Sequence, residues 1–273
     1  MPQVTDLQDI RQRLEVDRPW AAFALADLEL PYSNFATWFC PADNPLAVAL
    51  LYRPFTTPVV ICTGPSRYLE GVLDEVDATI GEARDLYAVI RPAVLPLIKD
   101  HYCAKDERPM VRMVLDASRY QPVVSEAVGR LGPDDLASVQ RLYVDEPPDF
   151  FLPARLKDGI YYGVREADQV IAIAGTHVVA SNVSVGALGH IYTRSDRRGR
   201  GLATAVTRAV TSHLVKIGIT TIVLNVREAN HPALRVYERL GYKRYCNYYE
   251  VMASRRPNPP LQPAAARDLI RHG

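Results

Sequence analysis

Residues 185–193 are apolar and β-prone, and a run of helical periodicity begins at Leu202; between them stand Arg198, Gly199, Arg200, Gly201, Leu202 and Ala203. A chain that passes from strand to helix through two glycines in three residues has little choice but an α/β unit with a tight turn at the helix start. Beyond it, Leu202, Val206, Ala209, Val210, His213, Leu214 and Ile217 fall on one helical face, and Gly218 ends the helix. The first amides of such a helix are unpaired and carry partial positive charge, so the turn is read as an anion cradle, suited to pyrophosphate. Arg198 and Arg200 add charge; Arg194 and Arg197 belong to the same basic cluster but read equally well as solvated loop residues.

Two phosphate motifs are tested on these residues. The ATP-type loop requires Lys followed by Ser or Thr after the last glycine, and Leu202-Ala203 excludes it. The dinucleotide fingerprint requires a third small residue where Thr204 stands and an acidic residue about 20 positions on, where Glu228 comes late.

A second pattern follows. A strand over residues 219–226 leads to Arg227-Glu228-Ala229-Asn230-His231-Pro232, then to a short helix carrying Tyr237 and stopped at Gly241. Together the two patterns resemble the GNAT superfamily of N-acetyltransferases, whose coenzyme A motif reads Arg or Gln-x-x-Gly-x-Gly or Ala; Arg198, Gly201 and Ala203 occupy its fixed positions. The resemblance covers residues 125–253. It implies an α/β (α+β) fold with a mixed, mostly antiparallel central sheet flanked by helices, and acetyl-CoA as acyl donor without a metal. It also implies that Gly199, Arg200, Gly201, Leu202, Ala203 and Thr204 hold the pyrophosphate, that Ile191, Tyr192 and Thr193 pair with the pantetheine arm, that Asn230 contacts the cofactor, and that Tyr237 is the general acid.

The expected chemistry is direct attack by a primary amine in a ternary complex. A thiol ionises near pH 8.5 and a phenol near 10, so Tyr237 need only assist the departing thiolate. Relatives with a glutamate in the middle of the fifth strand use it as base; this chain has Asn225 there, and an amide accepts no proton. His177, His190 and Glu146 are the candidates left. The acceptor pocket is expected from residues 146–153 and 245–249, taken as loops. A non-catalytic coenzyme A sensor with the same cradle is the alternative.

In front of this half, β-prone runs at 36–40, 46–52 and 58–62, a helix at 68–80, a strand at 86–90, a helix at 92–102 and a strand at 110–115 repeat the same order of elements. Two GNAT-like domains in tandem are therefore expected, with a degenerate one at 1–120, a catalytic one at 121–253, a boundary near 118–123 and a tail at 254–273. The layout is similar to that of glycine N-acyltransferase-like proteins. The corresponding first-half turn, Thr63-Gly64-Pro65, has one glycine and lacks an amide at Pro65, which argues against coenzyme A there.

With 32 basic and 31 acidic residues the chain offers no general field for nucleic acid or membrane. No apolar run reaches membrane-spanning length and the first residues are polar, so a cytoplasmic protein is expected, monomer or homodimer. Cys40, Cys62, Cys103 and Cys246 are scattered without metal-like spacing and read as reduced packing residues.

Overall fold

The computed structural model describes residues 6–256 apart from 42–43, 82, 123–126 and 149–150. The tail beyond Arg256 and part of the expected boundary at 118–123 thus lie outside the described residues. The first half runs α1 (Leu7–Glu15), α2 (Ala22–Ala26), β1 (Ala36–Phe39), β2 (Val48–Tyr52), β3 (Val59–Thr63), α3 (Glu70–Ile80), β4 (Asp85–Ile90), α4 (Leu95–His101) and β5 (Tyr102–Asp116). The second runs β6 (Gly129–Arg130), α5 (Leu136–Leu142), α6 (Arg155–Asp158), β7 (Tyr162–Glu166), β8 (Gln169–Ala180), β9 (Val185–Thr193), α7 (Leu202–Lys216), β10 (Thr221–Arg227), α8 (His231–Arg239) and β11 (Tyr242–Arg255).

All eleven strands join one sheet in the order β1-β2-β3-β4-β11-β5-β10-β9-β8-β7-β6. Only β3 with β4 and β9 with β10 run parallel, so the sheet is mixed and mostly antiparallel. The halves interleave: β5 stands between β11 and β10, and β11 stands between β4 and β5. Residues 245–249, expected as a loop, lie in β11, where Tyr249 faces Ile90 on one side and Pro109 on the other. An edge that would otherwise expose its backbone is covered on both sides by the other half's strand.

Alternation sorts the side chains to two faces. Val59 and Ile61 of β3 join Leu50, Trp20 and α2 in one core, which continues into the second half through Val185, Ala187 and Val223. Val60 and Cys62 join Leu73, Val76 and Ile98 under α3 and α4. Leu188, Leu224 and Val111 lie under α7 and α8 with Val206, Val210 and Leu214. The expected face of α7 is corrected at its end, because Ile217 is its C-cap and is 45% exposed. Thr207 and Thr211 are buried instead; the Thr211 hydroxyl meets the Tyr242 hydroxyl at 2.8 Å and donates to the Thr207 carbonyl, whereas the Thr207 hydroxyl has no partner among the described residues. Among the cysteines, Cys40 and Cys62 are buried, while Cys103 is exposed on β5 and does not fill a core.

Candidate functional site

The turn expected as an anion cradle is preceded by a strand that leaves its neighbour. β9 runs beside β10 only from Val185 opposite Thr221 to Leu188 opposite Leu224. Beyond Leu188, β9 continues on β8 alone, with Gly189 opposite Gly175 and Tyr192 opposite Ile173. One residue of β8 then faces two of β9, a bulge that bends the strand, and His190 takes φ +55° within it. Ile191, Tyr192 and Thr193 are therefore left with no ladder partner on the β10 side. Such an edge can pair with an extended ligand.

The turn that follows is shaped as its glycines require. Gly199 and Gly201 have φ of +78° and +77°, and a Cβ on either would meet nothing within 4 Å, so the turn faces open space. Gly201 is the N-cap of α7 and no side chain caps this end; the Ala205 amide donates to the Gly201 carbonyl, and the amides of Leu202, Ala203 and Thr204 head the helix. The Arg198 guanidinium folds back to donate to the Thr193 carbonyl at 3.1 Å, and it stands over the Tyr192 ring. Arg194 and Arg197 are paired with Glu166 and Asp196, so these two are solvated ion pairs rather than cradle charges. Arg200 has no carboxylate partner among the described residues. The matching first-half turn differs: a Cβ on Gly64 would lie 2.4 Å from the Leu46 carbonyl, so backbone fills the place that is open at Gly199.

Asn230 caps α8 by accepting from the Ala233 amide at 3.2 Å, with Pro232 in the first turn. Two turns on, Tyr237 is 6% exposed, edge-on to Tyr242, and its hydroxyl has no hydrogen-bond partner among the described residues. Burial pushes its pKa well above the ordinary phenol range, which keeps it protonated at neutral pH.

Ile191, Tyr192, Asn230 and Tyr237 line one cavity of about 670 Å³. Its walls come from both halves and both faces: Tyr237 belongs to the core under α8, whereas Val59, Ile61 and Val89 belong to the core under α2. The cavity therefore passes through the wedge between β9 and β10. Thr193 and the turn from Arg198 to Thr204 do not line it; they stand beyond its β9 end.

The candidate bases separate. Glu146 is 63% exposed at its side chain and faces Arg198 at 3.4 Å. His177 and His190 line the cavity with rings 4.3 Å apart, and His190 Nδ1 is 2.8 Å from the Tyr161 hydroxyl. Glycines make this stack possible: a Cβ on Gly189 would lie 2.0 Å from the His177 ring, and one on Gly175 would lie 2.1 Å from Tyr161. Asn225 accepts from Arg112 Nε at 3.0 Å. Arg112 is buried in β5, also donates to the Trp20 carbonyl, and lies over the rings of Trp20, Phe23 and Tyr248 at 4.8, 5.0 and 5.3 Å.

Arg112, Asp27 and Glu250 are cavity residues that the sequence analysis passed over. A charge inside an otherwise apolar strand run, Met110 to Leu115, and another inside the apolar stretch 20–28 were the available signals. Among the described residues, no helix is long and apolar enough to cross a membrane.

Residues 161–251 match the family model of FR47-like proteins. The mycothiol acetyltransferase of Actinosynnema mirum is 30% identical over 141 residues, which is 52% of this chain and 42% of that protein. The mycothiol acetyltransferase of Thermobispora bispora is 40% identical over 63 residues, 22% of this chain and 21% of that one. The chain thus spans less than half the length of these relatives. In structure, a GCN5-related N-acetyltransferase from Sphaerobacter thermophilus superposes with a TM-score of 0.60 at 18% identity, covering 92% of this chain and 93% of its own. A tandem GNAT protein from the clavulanic acid biosynthesis pathway superposes at 0.61 with 13% identity, covering 94% and 98%. At these identities the likeness is one of fold.

Proposed function

We propose that the chain is an N-acetyltransferase of the GNAT superfamily, and that it moves an acetyl group from acetyl-CoA to a primary amine in a ternary complex. The observation that carries the reading is the wedge itself. An unpaired strand edge at Ile191 to Thr193 leads at one end to an uncapped helix start at Leu202 to Thr204 and at the other to a cavity with a protonated phenol. Pyrophosphate at the helix start, pantetheine along the edge and thioester in the cavity is the placement this geometry favours.

In this reading the neutral amine attacks the acetyl carbonyl carbon, and backbone N–H groups of the bulged stretch 190–192 donate to the oxyanion. Collapse of the adduct breaks the C–S bond, the thiolate takes the Tyr237 proton, and the amine's surplus proton passes to the His177 and His190 pair, the imidazoles nearest the wedge. Asn225 cannot take that proton, because it is an amide and its oxygen is held by Arg112. Asn230 is a cofactor contact through the amide end that its capping role leaves available.

Calorimetry of coenzyme A with wild type and Gly201→Asp tests the cradle. A carboxylate at φ +77° adds strain and negative charge where pyrophosphate sits, so binding should be lost; retained binding removes the assignment. Thiol release with acetyl-CoA over an amine panel tests the transfer, and binding without release under any amine would leave only a sensor.

A further inference from the structure

One end of the cavity carries a carboxylate that acyl transfer does not use. Asp27 is the C-cap of α2, held by its own amide to the Phe23 carbonyl at 3.0 Å. It lines the cavity, is only 4% exposed, and no described residue donates a hydrogen bond to its carboxylate. A buried carboxylate without a partner is costly as an ion, and burial accordingly pushes the Asp27 pKa well above the ordinary range.

The other cavity carboxylates are already engaged. Glu250 accepts from the Tyr87 hydroxyl at 2.7 Å and from the Tyr248 hydroxyl at 2.8 Å, one on each oxygen. Glu146 faces Arg198. The positive charge that acts on Asp27 is Arg155, but that guanidinium donates to the Tyr32 hydroxyl at 3.2 Å, stands over the Tyr32 ring, and makes no ion pair with Asp27. Around Asp27 the first half presents Phe23 one helical turn earlier, then Tyr52, Phe55, Val59 and Ile61. Aromatic faces attract a cation, and apolar walls reward an apolar body.

We infer that this end of the cavity is the acceptor subsite, and that it selects an acceptor with an apolar or aromatic body and a positively charged nitrogen that pairs with Asp27, a nitrogen distinct from the neutral amine that attacks. The inference rests on the acetyl-transfer reading for the word acceptor, but its chemistry is that of the subsite alone. Asp27 acts in recognition and is given no proton to carry in the transfer.

The test is calorimetry on the full chain with 2-phenylethylamine, its neutral counterpart 2-phenylethanol and the polar-bodied glucosamine, in wild type and Asp27→Asn. Coenzyme A is titrated into both proteins as an independent readout. Wild type should bind the amine at least about 30-fold more tightly than the alcohol, the low end for a desolvated charge pair. Asp27→Asn should erase that preference and leave coenzyme A affinity unchanged. Equal binding of amine and alcohol by wild type, tighter binding of glucosamine, no binding of the amine, or a preference that survives Asp27→Asn would each overturn the inference. The wild-type comparison decides even if the variant does not fold. Loss of coenzyme A binding by wild type would sink the donor reading and leave the amine result to stand by itself.

Discussion

Replacing Arg112 by methionine tests the junction on which the cavity is built. Arg112 projects from β5, where the first half's last strand enters the second half's sheet, and it ties down the segment between α1 and α2. Its Nε donates to Asn225 at 3.0 Å, its Nη1 donates to the Trp20 carbonyl, and a contact of 3.5 Å to the Pro19 carbonyl is at the limit of a bond. Methionine keeps much of the packing against Trp20, Phe23 and Tyr248 but leaves two acceptors without donors, at about 1 to 3 kcal/mol each. The three ring contacts add about 0.5 kcal/mol or more apiece. Against these stands the desolvation of a buried cation, several kcal/mol in the opposite direction. The net expectation for Arg112→Met is destabilisation by about 3 kcal/mol, a fall in Tm of roughly 6 to 12 °C. Urea denaturation followed by tryptophan fluorescence reads it, because Trp20 is in the contact. Adding Asn225→Leu removes one of the orphaned acceptors, so the double variant should be less destabilised than the sum of the singles by about 1 kcal/mol. Stability of Arg112→Met within about 0.5 kcal/mol of wild type would refute the reasoning and mark the cation as an unpaid burial rather than a tie.

Tyr237→Phe should lower kcat by up to about 100-fold with coenzyme A affinity kept, measured by thiol release; an unchanged rate removes its role as acid. Because burial raises the Tyr237 pKa, kcat should show no alkaline fall from its ionisation up to about pH 9, and a fall that Tyr237→Phe abolishes would contradict that. Alkylation at pH 8 followed by peptide mass spectrometry should label exposed Cys103 first, whereas Cys40 and Cys62, with thiols pushed up to about 11 and about 12 by burial, should react only on unfolding. Asp27 has a folded pKa raised above its unfolded value, so its neutral form favours folding. That contribution is complete below the ordinary 3.8 and declines as pH rises toward the folded pKa. Arg155 opposes the shift and Tyr52 and Tyr32 are the phenols nearby, yet Asp27→Asn should gain stability relative to wild type as pH rises from about 4 to 8; a difference that does not vary with pH would show that Asp27 keeps its charge when folded.

Local signals in the sequence were strong where backbone chemistry is restrictive. Gly199, Gly201, Gly218 and Gly241 all take positive φ, as a turn, a helix stop or a close approach demands, and Asn230 with Pro232 caps α8. Strands β1 to β4 are legible because alternating apolar residues at 48–52 and 59–63 serve two cores at once. Residues 102–109 and 245–249 did not read as strand, because Lys105, Asp106, Glu107, Arg108 and Asn247 interrupt the apolar pattern. Those charged and polar residues pair through backbone at the junction of β5 and β11, with Tyr102 and Tyr248 the buried side chains of the two stretches. The first-half wall of the cavity was hidden for a related reason: Asp27, Arg112 and Glu250 are far apart in the chain and meet only through tertiary pairing.

That pairing explains why the element order could be read twice along the chain while the site could be read only once. The order β1-β2-β3-α3-β4-α4-β5 recurs as β7-β8-β9-α7-β10-α8-β11, and each series has one parallel pair, β3 with β4 and β9 with β10. Each series also ends in a strand that the other series flanks, so β10 is paired along Thr221 to Arg227 by β5, and β4 is paired along Asp85 to Ile90 by β11. The core under α2 runs across the junction from Leu50 and Val59 to Val185 and Val223, which makes the sheet's centre common property of both halves. The consequence for chemistry is direct. The open wedge belongs to the second half, but the wall it opens onto is made of β3, β4 and β5, so in the proposed reading the acceptor's surroundings are set by first-half residues that carry no motif. On the proposed reading, a chain of this kind can keep its glycine turn unchanged and alter its acceptor by substituting Phe23, Asp27, Tyr52 or Phe55, none of which belongs to the turn at Gly201 proposed to hold an anion.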